Sequence, residues 1–279
     1  MRSKNPEEDV IEIIDGKKYL RLYYFMPAEH FLDVIENDEL KVSIPEQCND
    51  PLEFMACGAS LHEEHDRENG AFISFSRRCD SSIMWAHYAD SHRGVCLEFL
   101  FPVQKSGRVQ ESDEMLPNGT RYAILDIDEL HKGQYITLDG SHHYPIMMEV
   151  VYAKNRPNRG IGISGLYVDG VLEEVDISHE FYTKSHDWKY EREWRLMVDL
   201  VGSASYKNGL FFIKGLTIYI SRIILGVRYP DSQDLVWGRL QQVIKNNPLY
   251  WGREGKRIHY PQVRRAAYAD DTYQIEIRI

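Results

Sequence analysis

Residues 188–195 carry the chain's clearest chemical pattern, because charged and aromatic residues alternate along them. In an extended strand, alternate side chains point to opposite faces, which would place Glu191, Glu193 and Arg195 on one face and the aromatic rings on the other. Neighbouring carboxylates raise one another's pKa, and a nearby guanidinium lowers it. We therefore interpret the two glutamates as candidates for acid, base or electrostatic catalysis. The alternative is an exposed sheet face on which Arg195 relieves the repulsion between like charges.

A second pattern surrounds His87 in residues 84–94. His87 stands three residues before Asp90, so that on a helix its imidazole can meet the carboxylate, which would fix the tautomer and raise the basicity of the ring. This geometry suits a base or a substrate contact. The alternative is a core histidine that packs beside aromatic residues with its hydrogen bond satisfied.

Two short strands are predicted to carry further site residues. Tyr23 and Tyr24 lie in a predicted strand over residues 20–25, where aromatic rings can stack on a planar heterocycle or simply pack. A second predicted strand, over residues 72–76, places Phe72, Ser74 and Ser76 on one face and Ile73 and Phe75 on the other. We expect the hydrophobic side to face the core.

The remaining elements favour an α+β fold with mixed, mainly antiparallel β-sheets flanked by helices. Pro27 opens a predicted helix, residues 80–82 cap a short second one, and a third begins at residue 231 or 232 and ends at 246–248. Two polar insertions are expected at residues 104–118 and 155–170. We expect a single domain over residues 19–279, after a flexible tail over residues 1–18. The other predicted strands cover residues 95–99, 147–152, 193–198, 210–213, 220–227 and 273–279.

The charge of the 279-residue chain is unevenly distributed. Lys and Arg number 33 against 43 Asp and Glu, giving −10, and residues 1–70 alone hold 17 acidic against 7 basic residues. This balance argues against a protein whose whole surface binds nucleic acid. A basic segment near the C-terminus, interleaved with aromatic residues, nevertheless predicts an alternative function as a non-catalytic module that binds nucleic acid or protein. Its cations are Arg253, Lys256, Arg257, Arg264 and Arg265.

Several classes of protein lose support from what the sequence lacks. No stretch approaches 18 uninterrupted apolar residues and the N-terminus has no apolar signal-peptide centre, so we expect a cytoplasmic protein that does not contact a membrane. The four cysteines are irregularly spaced, which disfavours a disulfide framework. Cys57, His62 and His65 stand among acidic residues typical of a solvated helix, and no metal is expected. No phosphate-binding or dinucleotide-binding glycine motif occurs.

Taken together, these patterns resemble a bacterial family known as domain of unknown function 2971. The resemblance runs over residues 22–226, and the family commonly carries a basic residue at the position of Tyr24. The matching pieces are Leu22-Tyr23, Asn49-Asp50-Pro51-x-Glu53, Phe75-Ser76, Met84-Trp85-x-His87-Tyr88-Ala89, Gly94-Val95-Cys96-Leu97, Val151-Tyr152, Lys184, and Trp188-x-Tyr190-Glu191-x-Glu193-Trp194-Arg195.

A more distant resemblance is to the ADP-ribosyltransferase fold, which also has an aromatic first strand, a serine-bearing strand and a late Glu-x-Glu. It implies an NAD-consuming transferase or glycohydrolase of the toxin or phage-defence kind, with NAD as substrate. Glu193 would hold the nicotinamide ribose while an oxocarbenium-like state forms, and Glu191 would orient or deprotonate the acceptor. The other implied roles are nicotinamide stacking by Tyr23 or Tyr24, support of the ribose by Ser74 or Ser76, and contact with phosphate or acceptor by His87 or Arg195.

Overall fold

The computed structural model is mostly antiparallel β-sheet with three α-helices among the residues that it describes, which confirms the predicted α+β class. The structure describes residues 11–50, 52–54, 70–108, 120–127, 137–138, 142–143, 145–157, 162–168, 171–178, 181–199, 205–246 and 261–278. The strands are β1 (Ile11–Ile14), β2 (Lys17–Met26), β3 (Glu39–Val42), β4 (Gly70–Ser76), β5 (Val95–Arg108), β6 (Arg121–Leu125), β7 (Thr137–Leu138), β8 (His142–His143), β9 (Ile146–Glu149), β10 (Val151–Ala153), β11 (Gly162–Val168), β12 (Val171–Ser178), β13 (Thr183–Ser185), β14 (Glu193–Asp199), β15 (Ser205–Lys207), β16 (Leu210–Lys214), β17 (Ile220–Leu225), β18 (Gln262–Tyr268) and β19 (Ile275–Arg278). The α-helices are α1 (Ala28–Asn37), α2 (Ser82–Tyr88) and α3 (Gln233–Asn246), and 3-10 helices cover Pro45–Gln47, His186–Glu191 and Thr217–Tyr219.

Ten strands form the main sheet, in the order β1-β2-β4-β14-β9-β6-β5-β17-β18-β19. An additional antiparallel pairing joins β2 to β5, so that β2, β4, β14, β9, β6 and β5 form a closed ring of six neighbours. β2 pairs with β4 at one position, Tyr23 with Ser76. The cavity described below lies beside this pair, and both of its residues line it.

The hydrophobic core follows the alternation that the sequence predicts. Ile73 and Phe75 of β4 and Trp194 and Leu196 of β14 belong to the largest cluster of buried apolar side chains, together with residues of β2, β5, α1 and α3. Burying these rings and branched chains supplies the main driving force for folding, at about 1.5–3 kcal/mol for each large side chain. The opposite face of β4 and β14 carries Ser74, Ser76, Glu193 and Arg195, together with Phe72 and Met197 of a second, smaller apolar cluster.

Three helix predictions hold in the structure. Helix α1 follows Pro27 and buries Phe31 and Ile35, and α3 ends at Asn246. The Ser81 side chain accepts a hydrogen bond from the amide of Met84 and caps α2. Among the helices of the described residues, none is long and apolar enough to cross a membrane.

Other predictions differ from the structure. Hairpin β1–β2 begins at Ile11, within residues that the sequence analysis assigned to the tail. Strand β5 runs on to Arg108, and β11 pairs with β12, so both expected insertions contain strand. The strand expected over residues 147–152 is divided, because Val150 separates β9 from β10. The end of β5 and strand β11 were not predicted, because glycine residues in both and polar residues at the end of β5 are typical of loops.

Candidate active site

The segment that carries the two candidate glutamates is not one strand. Residues His186–Glu191 form a 3-10 helix, capped by the Ser185 hydroxyl, and β14 begins at Glu193. Arg192 joins them in the left-handed region with φ 48° and ψ 48°. Glu191 therefore does not meet the condition of extended backbone under which it would share a face with Glu193 and Arg195. The strand predicted over residues 193–198 does form, and Glu193 and Arg195 share a face of it.

Despite this difference, Glu191 and Glu193 meet at one ammonium group. Lys184 Nζ lies 2.6 Å from Glu191 Oε2, 3.2 Å from Glu193 Oε2 and 3.5 Å from an oxygen of Glu53. Only 9% of the Lys184 side chain is exposed, and its ammonium sits 5.1 Å from the centre of the Trp188 ring. Three carboxylates thus surround one buried cation.

Arg195 is a second buried cation in this group of charges. Its Nε donates to Glu193 Oε1 at 2.7 Å, its Nη2 donates to Glu53, and its Nη1 donates to the Phe181 carbonyl at 2.7 Å. The guanidinium is fully buried between the rings of Phe54 and Phe72, with ring centres 4.8 and 4.5 Å away. All three nitrogens of Arg195 are engaged, so this side chain holds Glu193 and Glu53 in place and is not available to a phosphate.

The remaining contacts of the two glutamates distinguish them. Glu193 accepts a hydrogen bond from Ser74 Oγ at 2.5 Å, in addition to those from Arg195. Glu191 accepts one from the Tyr88 hydroxyl at 2.5 Å, and its own carbonyl accepts from Ser76 Oγ at 2.7 Å. The carboxylate of Glu193 therefore contacts two cations and a hydroxyl group, whereas that of Glu191 contacts one cation and one phenol.

The pKa values of the two carboxyl groups move in opposite directions. Burial raises the pKa of Glu191, and this effect outweighs the attraction of Lys184. Burial would also raise the pKa of Glu193, but the nearby charges of Arg195 and Lys184 hold it well below its ordinary value. Paired groups whose environments separate their pKa values in this way can divide the roles of proton carrier and permanent anion. Burial alone would lower the pKa of Lys184, but the surrounding carboxylates raise it, so Lys184 stays charged.

A cavity of about 280 Å³ lies above these charges. Six predicted site residues line it, namely Tyr23, Tyr24, Ser74, Ser76, Glu191 and Glu193. Its lining also includes Phe75, Tyr88 and Trp188, and the Trp188 indole donates to Asp50 at 2.9 Å. The cavity therefore combines carboxylates with aromatic residues.

The other two predicted site residues are placed elsewhere. His87 is exposed outside the lining of the cavity, and its Nδ1 lies 3.3 Å from the Tyr190 hydroxyl. The predicted pairing of His87 with Asp90 is absent, because Asp90 has a left-handed backbone after the end of α2 and binds Arg93 at 3.1 Å. Arg195 lies beneath the cavity, as described above.

Sequence reasoning assigned no role to several residues that the structure places here. Glu53 and Lys184 belong to the quoted family pattern, so that pattern was a signal for them. Tyr88 also belongs to it and contacts Glu191. Lys41, on the cavity wall, had no signal, since it is one polar residue in the short alternating strand β3.

The basic C-terminal segment is described only in part. Arg253, Lys256 and Arg257 lie outside the described residues, as do Cys57, His62 and His65. Arg264 and Arg265 are adjacent on β18, so their side chains point to opposite faces of the sheet. Arg265 donates to the carbonyls of Gly226, Tyr229 and Asp231, which gives it a structural role.

Within the described part of the chain, no group of three or more His, Cys, Asp and Glu side chains is arranged to hold a metal ion.

Comparison with known families identifies the central segment of the chain. Residues 84–196 match the family model described as Protein of unknown function (DUF2971). The expected resemblance to this family is thereby confirmed, over a shorter span than residues 22–226. The matched segment contains most of α2, Lys184, Glu191, Glu193 and Arg195, but not Tyr23 or Glu53. No curated protein and no solved structure matches the chain.

Proposed function

We propose that this protein cleaves or transfers the N-glycosidic bond of a ribosyl nucleotide, with NAD as the candidate substrate. The observation that carries the proposal is the pair Glu191 and Glu193 in one cavity with pKa values shifted in opposite directions. The aromatic rings that line the same cavity give a planar base a surface to stack on.

In the proposed reaction the bond between ribose C1′ and the nicotinamide nitrogen breaks, and its electron pair leaves with the nicotinamide. Positive charge then develops on C1′ and the ring oxygen. Glu193, kept ionised by Arg195 and Lys184, stabilises this charge from a fixed position. A preorganised anion of this kind costs no reorganisation when the charge appears.

Glu191 acts on the nucleophile. A water molecule or the hydroxyl of an acceptor attacks C1′ and passes its proton to Glu191, which releases it to solvent. Because burial raises the pKa of Glu191, this base is present only above a pKa that exceeds its ordinary value of 4.5. The rate should therefore rise with pH through that higher pKa. Substrate and catalysis of this type fit a cytoplasmic effector of the toxin or phage-defence kind.

The experiment is to incubate the purified protein with NAD and measure the release of nicotinamide. Glu191→Gln should lower the rate about 100- to 10,000-fold, the usual contribution of a general base. The matched control is Glu149→Gln, because Glu149 forms an ion pair with Arg121 outside the cavity lining. No release by the wild type, or equal rates for the wild type and Glu191→Gln, would contradict the proposal.

A further inference from the structure

The two oxygens of the Glu191 carboxylate have different partners. Oε2 lies 2.6 Å from the Lys184 ammonium, whereas Oε1 accepts a hydrogen bond of 2.5 Å from the Tyr88 hydroxyl. Although burial favours the loss of its proton, Lys184 stays charged because the surrounding carboxylates raise its pKa. An ammonium group can only donate hydrogen bonds, so a proton on Oε2 would face a cation that cannot accept it. Oε1 is therefore the oxygen that takes up a proton more readily.

The Tyr88 hydroxyl can bond to Oε1 in both states of this carboxyl group. A phenol has one donor and also accepts hydrogen bonds at its oxygen. It donates to the ionised carboxylate, and after protonation the two O–H groups can turn so that the phenol accepts instead. Burial raises the pKa of Tyr88 and the neighbouring Glu191 raises it further, so the phenol keeps its own proton throughout.

Several other groups act on Glu191 from the elements around it. Helix α2 and strands β10 and β13 pack against the 3-10 helix that carries Glu191. The titratable groups near Glu191 in the described structure are Tyr88 of α2, Tyr152 of β10, Lys184 of β13, Glu193 of β14, Tyr190 of the same 3-10 helix and, through Lys184, Glu53. Burial raises the pKa of Glu191, as does Glu193, while Lys184 and the hydrogen bond from Tyr88 lower it.

The hydroxyl groups of the three tyrosines in this set have different partners. Tyr152 Oη accepts a hydrogen bond of 2.8 Å from the Glu193 amide, and Tyr190 Oη lies 3.3 Å from His87 Nδ1. Tyr88 is the one of the three that bonds to the Glu191 carboxylate in the part of the chain that the structure describes. Tyr88 also lines the cavity, whereas Tyr190 does not.

We propose that Tyr88 is a positioning residue that keeps Oε1 of Glu191 hydrogen-bonded in both the ionised and the protonated form. This inference rests on the proposed function, in which Glu191 takes the proton of the nucleophile and then releases it to solvent. The proton moves from the nucleophile to Oε1, which has a second lone pair besides the one that faces Tyr88. Tyr88 changes between donor and acceptor and has no net gain or loss of a proton.

The test is Tyr88→Phe, which removes the hydroxyl group and keeps the ring in the cavity lining. Loss of a donor to the ionised form raises the pKa of Glu191, so the fall in nicotinamide release on the acid side of the pH profile should move to higher pH. Above that region, kcat should fall about 2- to 10-fold, the value of one hydrogen bond. The KM for NAD should stay unchanged, because the ring is retained.

The matched control is Tyr190→Phe, which removes a phenol hydroxyl next to Glu191 in the sequence that bonds to His87 instead. It should leave both the pH profile and kcat unchanged. In a Glu191→Gln background, Tyr88→Phe should lower the residual rate no further, because the carboxyl group that Tyr88 positions is absent. A further loss of the same size in that background would assign Tyr88 a purely structural role and overturn the inference.

Carboxyl NMR provides a readout that does not depend on activity. In Tyr88→Phe the Glu191 signal should titrate at higher pH than in the wild type, while Glu193 should still titrate well below its ordinary value, which shows that the site remains folded. The inference is overturned if Glu191 titrates as in the wild type, or if Tyr190→Phe moves it as far. Nicotinamide release with an unmoved pH profile in Tyr88→Phe would remove this inference alone. A shifted Glu191 signal in a protein that releases no nicotinamide would remove the proposed function and still support the contact between Tyr88 and Glu191.

Discussion

At the scale of single residues, Arg195 and Lys184 determine what the three glutamates can do. Each buried carboxylate would be costly without a partner, and each has at least one of these two cations within ion-pair distance. The difference between Glu191 and Glu193 arises because Arg195 contacts only the second of them. One guanidinium therefore separates the pKa values on which the proposed division of roles depends.

Removing this guanidinium should be far more damaging than removing one at the surface. Arg195→Met leaves Glu193 and Glu53 buried with fewer partners, and we expect it to lower the free energy of unfolding by about 3–5 kcal/mol. Arg93→Met is the comparison, because its ion pair with Asp90 is exposed and screened by solvent, so that its loss should have little effect on stability. Urea unfolding curves measure both. Equal losses in the two variants would show that the buried network does not stabilise the fold.

The sequence indicated some of these residues and not their contacts. Glu193 and Arg195 could be placed on one face because strand alternation is a local property. Lys184 and Glu53 come from other elements, and their approach to Glu193 depends on how β13 and the loop before residue 54 pack. Such contacts are made across the fold, and no local pattern encodes them.

At the scale of elements, the 3-10 helix His186–Glu191 and the turn at Arg192 position Glu191 and Glu193. The helix carries Trp188 and Glu191 to the cavity, and the left-handed turn at Arg192 lets β14 start with Glu193 beside them. The alternation of aromatic and charged residues fits period two and therefore does not reveal the helical turn before the strand predicted over residues 193–198. The Ser185 cap and Asp187 were the available signals for a helix start.

The conformation of Arg192 leads to a test of this turn. Arg192→Asn and Arg192→Val both remove the guanidinium, but asparagine tolerates the left-handed region and a β-branched residue does not. We expect the valine variant to have a free energy of unfolding about 1–2 kcal/mol lower than the asparagine variant. Urea unfolding of the two proteins decides the matter. If their midpoints and slopes coincide, the turn is not under the constraint described here.

At the scale of the whole molecule, the ring of six strands explains why the cavity exists. β2 pairs with β5 along most of its length but with β4 only at Tyr23 and Ser76. Among the described residues, the boundary between β2 and β4 is therefore the part of the ring with the fewest backbone pairings. The sequence could predict the strands and their buried faces, since these follow from alternation. It could not predict which strands are neighbours, because pairing joins residues far apart in the chain, such as Ser76 and Glu193.

Close packing of chain segments also belongs to this scale. A Cβ added to Gly94 would come within 2.2 Å of the Met26 carbonyl oxygen, and one added to Gly226 within 2.2 Å of the His92 carbonyl oxygen. The Gly226 amide donates to the Gly94 carbonyl at 2.9 Å. These two glycines let the end of β17 approach the start of β5 and the turn after α2. Helix α2 in turn carries Tyr88 to the site.

The account depends most on the opposite titration of Glu191 and Glu193, and carbon-detected NMR of the glutamate carboxyl groups measures it directly. The two signals are assigned by their loss in Glu191→Gln and Glu193→Gln. We predict that the carboxyl group of Glu191 titrates above 4.5 and that of Glu193 well below it, because only the latter is held by Arg195. Titration of both groups near 4.5, or in the reverse order, would contradict the account.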